Sequence, residues 1–200
     1  EIKHGYADAM IAGGAEAAIC ELGIAGFANL TALTKETDPE KACIPFDKNR
    51  SGFVMGEGAT VLVLEEYEHA VNRGANILAE IVGYSDTCDA NHITAPCEDG
   101  KFAAQAMVQA IADAGIKTSD IDYINAHGTA TVNNDLSESR ALMRIFGEEV
   151  PDFSSTKPFT GHTLAVASAV EAIFSLLAIQ EGAVWPNLNW QTPMPEVPLR

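Results

Sequence analysis

Short apolar runs of strand length alternate along the chain with longer stretches of helical spacing, and that alternation predicts an α/β fold built in layers. Residues 9–15 form an apolar run ended by glycines, as expected of a buried strand. A short helix is expected over 22–34, then a polar loop through Thr37, Asp38 and Pro39 and a turn over 47–52. Residues 58–65 form an uninterrupted apolar strand that runs into a helix from Tyr67 to Arg73, stopped by Gly74. A further strand is expected from Ile77 to Tyr84, then a loop from Asp86 to Gly100.

The second half repeats the rhythm. Apolar positions Phe102, Ala106, Val108, Ala110 and Ile111 predict a helix over 101–114 with Gly115 as its stop. A strand over 122–126 ends at His127-Gly128-Thr129, and a helix over 134–146 follows with Asp135 and Glu138 at its acidic start. A short strand over 153–157 leads to Gly161-His162, and the last helix is expected over 163–180. Ser168, Glu171 and Ser175 mark that segment as a core helix and not a membrane span.

The 200 residues carry 12 Lys+Arg against 28 Asp+Glu, a formal charge of −16, which excludes a dedicated nucleic-acid binder. With 47% apolar and 20% charged residues the chain has the composition of a packed globular protein. Cys20, Cys43, Cys88 and Cys97 form no C-x-x-C pair and read as buried or idle thiols of a reducing cytosol, with no metal role. Residues 1–5 read as the last turn of a helix and residues 193–200 as an extended, proline-spaced connection, so a piece of a larger protein is expected.

Two histidines stand where a strand is expected to hand over to a helix, the edge at which α/β sheets place ligand sites. His127 is followed by Gly128 and Thr129; His162 is preceded by Thr160 and Gly161, with Lys157 five residues before it. The glycines let backbone approach a ligand closely. Thr129 and Thr131 offer hydroxyls suited to an amide-bearing ligand, and serve equally well as caps of the next helix.

At these residues the sequence resembles the β-ketoacyl-[acyl-carrier-protein] synthases, elongating condensing enzymes of the thiolase-like fold. The matching stretches are residues 54–59 (Val54 to Ala59), 89–96 (Asp89 to Pro96), 125–131 (Asn125 to Thr131) and 155–162 (Ser155 to His162), in the family's order. The resemblance implies a layered αβαβα fold, incomplete in this chain, with residues 1–75 closing the N-terminal half and 76–200 forming most of the C-terminal half. It implies a Cys-His-His centre in which His127 and His162 are the catalytic histidines and Lys157 orders the site. Glu171, Asp135 and Glu138 match the family's supporting acids. Thr129, Thr131 and Thr94 are the implied contacts of a pantetheine arm.

The implied reaction is decarboxylative condensation of malonyl-carrier protein with an acyl thioester, in fatty-acid or polyketide-like synthesis in the cytoplasm. The implied partners are acyl carrier protein, the acyl and malonyl thioesters and a second subunit, homodimeric in the family; no membrane, nucleic acid or prosthetic group is implied. None of the four cysteines stands in the context of the family's nucleophile, so the chain alone is expected to be inactive. The other reading is a non-catalytic ketosynthase-like partner of the chain-length-factor type. Val132, Ala165-Val166-Ala167-Ser168 and Thr31 depart from the family's usual residues.

Overall fold

The computed structural model describes residues 1–196, so the end of the proline-spaced tail, residues 197–200, lies outside the described residues. Strand β1 (Ala9–Glu16) pairs antiparallel with β2 (Gly58–Glu65), Ala9 facing Glu65 at one end and Glu16 facing Gly58 at the other. Gly13 lies so close to β2 that a Cβ would stand 2.1 Å from the Thr60 carbonyl oxygen. Between the two strands come α1 (Glu21–Asn29) and the single turn α2 (Pro39–Ala42), whose N-cap Asp38 accepts from the Glu40 amide. Helix α3 (Tyr67–Asn72) follows β2, capped by the Glu66 carboxylate on the His69 amide at 2.7 Å.

The second half contains a parallel β-α-β unit. Strand β3 (Tyr123–Asn125) and β4 (Asp152–Ser154) run side by side, joined by α5 (Val132–Phe146), against which α4 (Lys101–Ala114) packs. After β4 come the turn α6 (Lys157–Thr160), a 3-10 turn over Leu164–Val166 and α7 (Ala167–Glu181), which lies against β2 and β3. The core centres on Phe46, Ala126 and Met194, with Leu136, Met143 and Phe153 packed around them. Phe46 meets Phe153 edge-on at 5.1 Å. The carboxyl-terminal ends of β3 and β4 therefore open toward the start of α7.

Several expectations are corrected. Residues 77–84 form no strand: among the described residues no neighbour ladders with them, and they run along α4, where Tyr84 N–H donates to Asp113. The helix expected over 22–34 ends at Asn29, because Thr31 turns the backbone to φ +53°. The strand expected over 153–157 ends at Ser154, and Lys157 opens a helical turn that separates the sheet from His162. The last helix starts as a 3-10 turn, and only Ala167 of α7 is fully buried. Nor is β1 buried on both sides: Ile11, Val61 and Val63 form an exposed apolar face.

Segment 77–84 is held to α4 by close backbone approach. A Cβ on Gly83 would stand 2.3 Å from the Ala110 carbonyl oxygen and 2.8 Å from the Ala114 methyl. Gly83→Ala is expected to lower stability by about 1–3 kcal/mol in chemical denaturation, the range for overpacking a close contact. An unchanged midpoint would show that the segment does not rest there.

Candidate active site

His127 follows β3 directly, and its backbone is held by a carboxylate. Glu138, in the second turn of α5, accepts the His127 N–H at 2.7 Å and the Gly128 N–H at 2.8 Å. Gly128 has φ +33°, and a Cβ on it would stand 2.6 Å from Ser155 Cβ and 2.7 Å from the Phe46 ring, so only glycine fits. Ser155 Oγ closes the corner by donating to the Gly128 carbonyl at 2.7 Å. Thr131 caps α5 by accepting from Asn134 N–H at 3.4 Å, and its hydroxyl lies 2.8 Å from that of buried Thr129.

Asp135 is fully buried beneath this corner. It accepts the Phe46 N–H at 2.8 Å and lies 3.7 Å from the Arg50 guanidinium. Burial pushes its carboxyl up to about 6, against the opposing pull of the Phe46 amide and of Arg50. Arg50 also donates to the carbonyls of Asp47 and Val132, each at 3.0 Å, and so ties the 47–52 turn to the start of α5.

Lys157 is 2% exposed, and its ammonium is shared among three acceptors. It donates to Glu171 Oε1 on α7 and to the His127 carbonyl, and stands 3.4 Å from His127 Nδ1. Asn125, the last residue of β3, donates to the Glu171 carbonyl at 3.2 Å, so strand and helix are joined on both sides of the cation.

His162 is held by backbone and ring together. Its N–H donates to Val54 at 2.7 Å, its carbonyl accepts from Gly56 at 3.0 Å, and its Nδ1 accepts from Leu164 N–H at 3.2 Å. Phe53 packs edge-on against the ring at 5.0 Å, with Phe27 behind Phe53 at 5.4 Å. The His127 and His162 rings lie 5.2 Å apart and nearly perpendicular, at 85°.

These contacts settle protonation. His127 is partly open to solvent, yet the surrounding protein first, the Lys157 ammonium second and then His162 press its pKa down to about 3. Burial first and Lys157 second lower His162 to about 4. Both imidazoles are neutral at pH 7. An ammonium can only donate, so His127 Nδ1 is an acceptor and the ring proton sits on Nε2. His162 Nδ1 accepts from a backbone N–H, which puts its proton on Nε2 as well. Two neutral N–H donors therefore stand side by side at the end of the sheet.

Of the residues singled out from the sequence, the fold gathers His127, His162, Lys157, Glu138 and Glu171 into one cluster, with Asp135, Thr129 and Thr131 directly beneath it. Thr94 is exposed in the 86–100 loop and has no hydrogen bond to this cluster among the described residues. The pattern did not single out Phe53, Ser155, Asn125 or the Asp47–Arg50 pair. Asp47 and Arg50 are 2% and 6% exposed although their turn looks like an ordinary surface turn; Asp47 is engaged by residues 191–193 and Arg50 by the start of α5.

Family sequence profiles match both parts of the chain: "Beta-ketoacyl synthase, N-terminal domain" over residues 1–70 and "Beta-ketoacyl synthase, C-terminal domain" over residues 78–191. The chain belongs to the β-ketoacyl synthase family. It is 49% identical over 201 residues to 3-oxoacyl-[acyl-carrier-protein] synthase 2 of Synechocystis sp. and 50% identical over 200 residues to the enzyme of that name from Staphylococcus aureus. Each alignment covers 99% of this chain and 48% of the relative, so the chain spans about half the length of the curated relatives it matches.

Solved ketosynthase structures agree. One is a type II polyketide synthase acyl-carrier protein in complex with its ketosynthase bound to the hexaketide, with TM-score 0.94 and 42% identity over 99% of this chain and 50% of that one. Another is a β-ketoacyl synthase from Burkholderia phymatum, with TM-score 0.91 and 42% identity over 98% and 47%. The ishigamide ketosynthase/chain length factor matches with TM-score 0.90 and 40% identity over 99% and 47%. The fold is the thiolase-like α/β fold of these ketosynthases, as the sequence resemblance implies.

In the full-length protein, neither ring is expected to titrate between pH 8 and pH 5. Both folded-state values lie below the unfolded value of 6.5, so the native state gains no proton there while the unfolded state does. Stability linked to these two groups is whole above about pH 6.5 and falls as pH drops from there, toward about 4 for His162 and about 3 for His127. Imidazole carbon shifts followed by NMR check this, and a midpoint near 6.5 for either ring would contradict it.

Proposed function

We propose that this chain supplies the decarboxylating donor pair of a 3-oxoacyl-[acyl-carrier-protein] synthase. The observation that carries the reading is the adjacency of two neutral histidines, each fixed with its proton on Nε2. A malonyl thioester loses carbon dioxide when the bond to its carboxylate breaks and the electron pair moves onto the thioester oxygen as an enolate. His127 and His162 donate to that oxygen. Donors already aimed and partly shielded from water hold the developing charge without the reorganisation that water would need. The enolate carbon then attacks an acyl thioester, the new carbon–carbon bond forms and a thiolate leaves.

Lys157 acts on the pair from behind: its ammonium disfavours the imidazolium and holds His127 in the donor tautomer. Glu171 holds Lys157, Glu138 holds the His127 backbone, and Asp135 supports the corner beneath them. Thr129, Thr131 and Thr94 are assigned to the pantetheine arm, whose amides suit hydroxyl partners. The carrier of that arm is an acyl carrier protein, the kind of partner in the matched polyketide synthase complex. The active form is a homodimer in the cytoplasm, and residues 1–75 and 76–200 fall to the two halves of the synthase.

A chain-length-factor-type partner needs no donor pair, so the retained and tautomer-locked histidines favour the catalytic reading. The acyl nucleophile lies outside this chain. Burial pushes the Cys43 thiol up to about 11, and Cys97 donates to Asp99, which holds its thiol up as well. Among the described residues none of the four cysteines hydrogen-bonds to His127 or His162.

Two outcomes are expected. In the full-length protein, His127→Ala should cut carbon dioxide release from malonyl-carrier protein by about 10²–10³, the range for removing one oxyanion donor; an unchanged rate defeats the assignment. Residues 1–200 expressed alone should give no ketoacyl product from acyl- and malonyl-carrier protein, and measurable product by mass spectrometry would refute that.

A further inference from the structure

The tautomer of His162 rests on one bond, from the Leu164 N–H to its Nδ1 at 3.2 Å. Leu164 makes that bond with φ +46°, a left-handed conformation that is unfavourable for a non-glycine residue and persists only where neighbours hold it. The turn holding it is the 3-10 turn Leu164–Val166, and its seat is the end of β1. Gly14 makes room: a Cβ there would stand 3.1 Å from the Ala165 carbonyl oxygen and 3.4 Å from Val166 Cα, and Val166 is fully buried.

Two residues further along β1, Glu16 reaches the same turn. Its Oε2 accepts the Ala165 N–H at 3.2 Å, while its Oε1 accepts the Ala17 N–H at 3.1 Å, which fixes the carboxylate against its own strand. The amide it takes is the one directly after the Leu164 amide that serves His162. A carboxylate at the exposed amides opening α7 also has the favourable sign for a helix start.

We propose that Glu16 is a positioning residue for His162: by holding the Ala165 amide it keeps Leu164 in its left-handed turn, and so keeps the Leu164 N–H on Nδ1 and the ring proton on Nε2. This deepens the proposed decarboxylation and rests on that reading for its kinetic consequence. The tautomer itself does not depend on it. Loss of Glu16 frees the turn to relax, the Nδ1 acceptor loses its donor, and the ring populates the form with the proton on Nδ1, which presents no Nε2–H.

The test uses the full-length protein with Glu16→Ala and Glu16→Gln. Long-range nitrogen–proton NMR should show His162 as the Nε2–H form in the parent, a mixture in Glu16→Ala, and the parent pattern again in Glu16→Gln, whose amide oxygen still accepts the Ala165 N–H. Decarboxylation should follow: kcat down on the order of tenfold in Glu16→Ala, with KM for malonyl-carrier protein within a factor of about two, and mostly restored in Glu16→Gln. An unchanged His162 tautomer in folded Glu16→Ala overturns the proposal, even where its melting temperature falls. A tautomer shift in a protein whose parent releases no carbon dioxide upholds the positioning role and sinks the proposed reaction instead.

Discussion

A lysine side chain that is 2% exposed is the constraint on which the site depends. Removing an ammonium from water costs several kcal/mol unless good acceptors replace the lost solvent. Lys157 finds them in Glu171, in the His127 carbonyl and at His127 Nδ1. Those acceptors belong to α7 and to the end of β3, while Lys157 itself follows β4. Satisfying one cation therefore draws three elements to one point. The same cation is a principal reason, after burial, that both histidines stay uncharged.

Charge in the cluster is arranged by side. The ammonium faces the His127 ring, whereas the Glu138 carboxylate sits under the His127 and Gly128 amides. A carboxylate nearer the ring would raise its pKa and favour the imidazolium; placed on the backbone amides, it anchors the residue at little cost to ring neutrality. Burial raises the Glu138 carboxyl while those two amides and Lys157 pull it back. Asp135, deeper still, holds the Phe46 amide at a residue whose φ is +61°, and the Phe46 ring in turn fills the space that Gly128 leaves empty. The anchor of His127 is thus continuous with the core around Phe46, Ala126 and Met194.

Much of this was legible in the sequence because it is local. The helix over 101–114 matches α4, and the apolar run 58–65 matches β2, since strong periodicity and a glycine stop or start define both. His127, Lys157 and His162 stand out because glycines and threonines surround them at expected sheet ends. What stayed illegible depends on distant partners. Residues 77–84 have a strand's composition, but a strand exists only where another ladders with it. Asp47 and Arg50 look like surface-turn residues because their partners are distant in sequence: Gln191 and Thr192 for Asp47, Val132 and Asp135 for Arg50. Thr31, Ala130 and Leu164 carry positive φ without being glycine, which no residue pattern announces.

The division of labour along the chain follows from the same geometry. His127, Glu138, Lys157, His162 and Glu171 lie within one stretch of the second half, where His127, Lys157 and the His162 ring find their polar partners, so the side chains of the donor pair are presented by one β-α-β unit and the helix after it. Among the described residues, the first half contributes no charged group hydrogen-bonded to either ring. It supplies the Val54–Gly56 backbone that brackets His162, the Phe53 ring beside it and the strand end against which the following turn rests. Its outer β1–β2 face, with Ile11, Val61 and Val63 exposed, makes no comparable contact within these residues. The orientation of His162 therefore depends on backbone pairing and ring packing from the first half, whereas that of His127 depends on ion pairing and carboxylate capping within the second, seated on the Phe46 ring. Disturbing the Val54–Gly56 backbone contacts should therefore act on His162 more than on His127, whose ring lies 5.2 Å away.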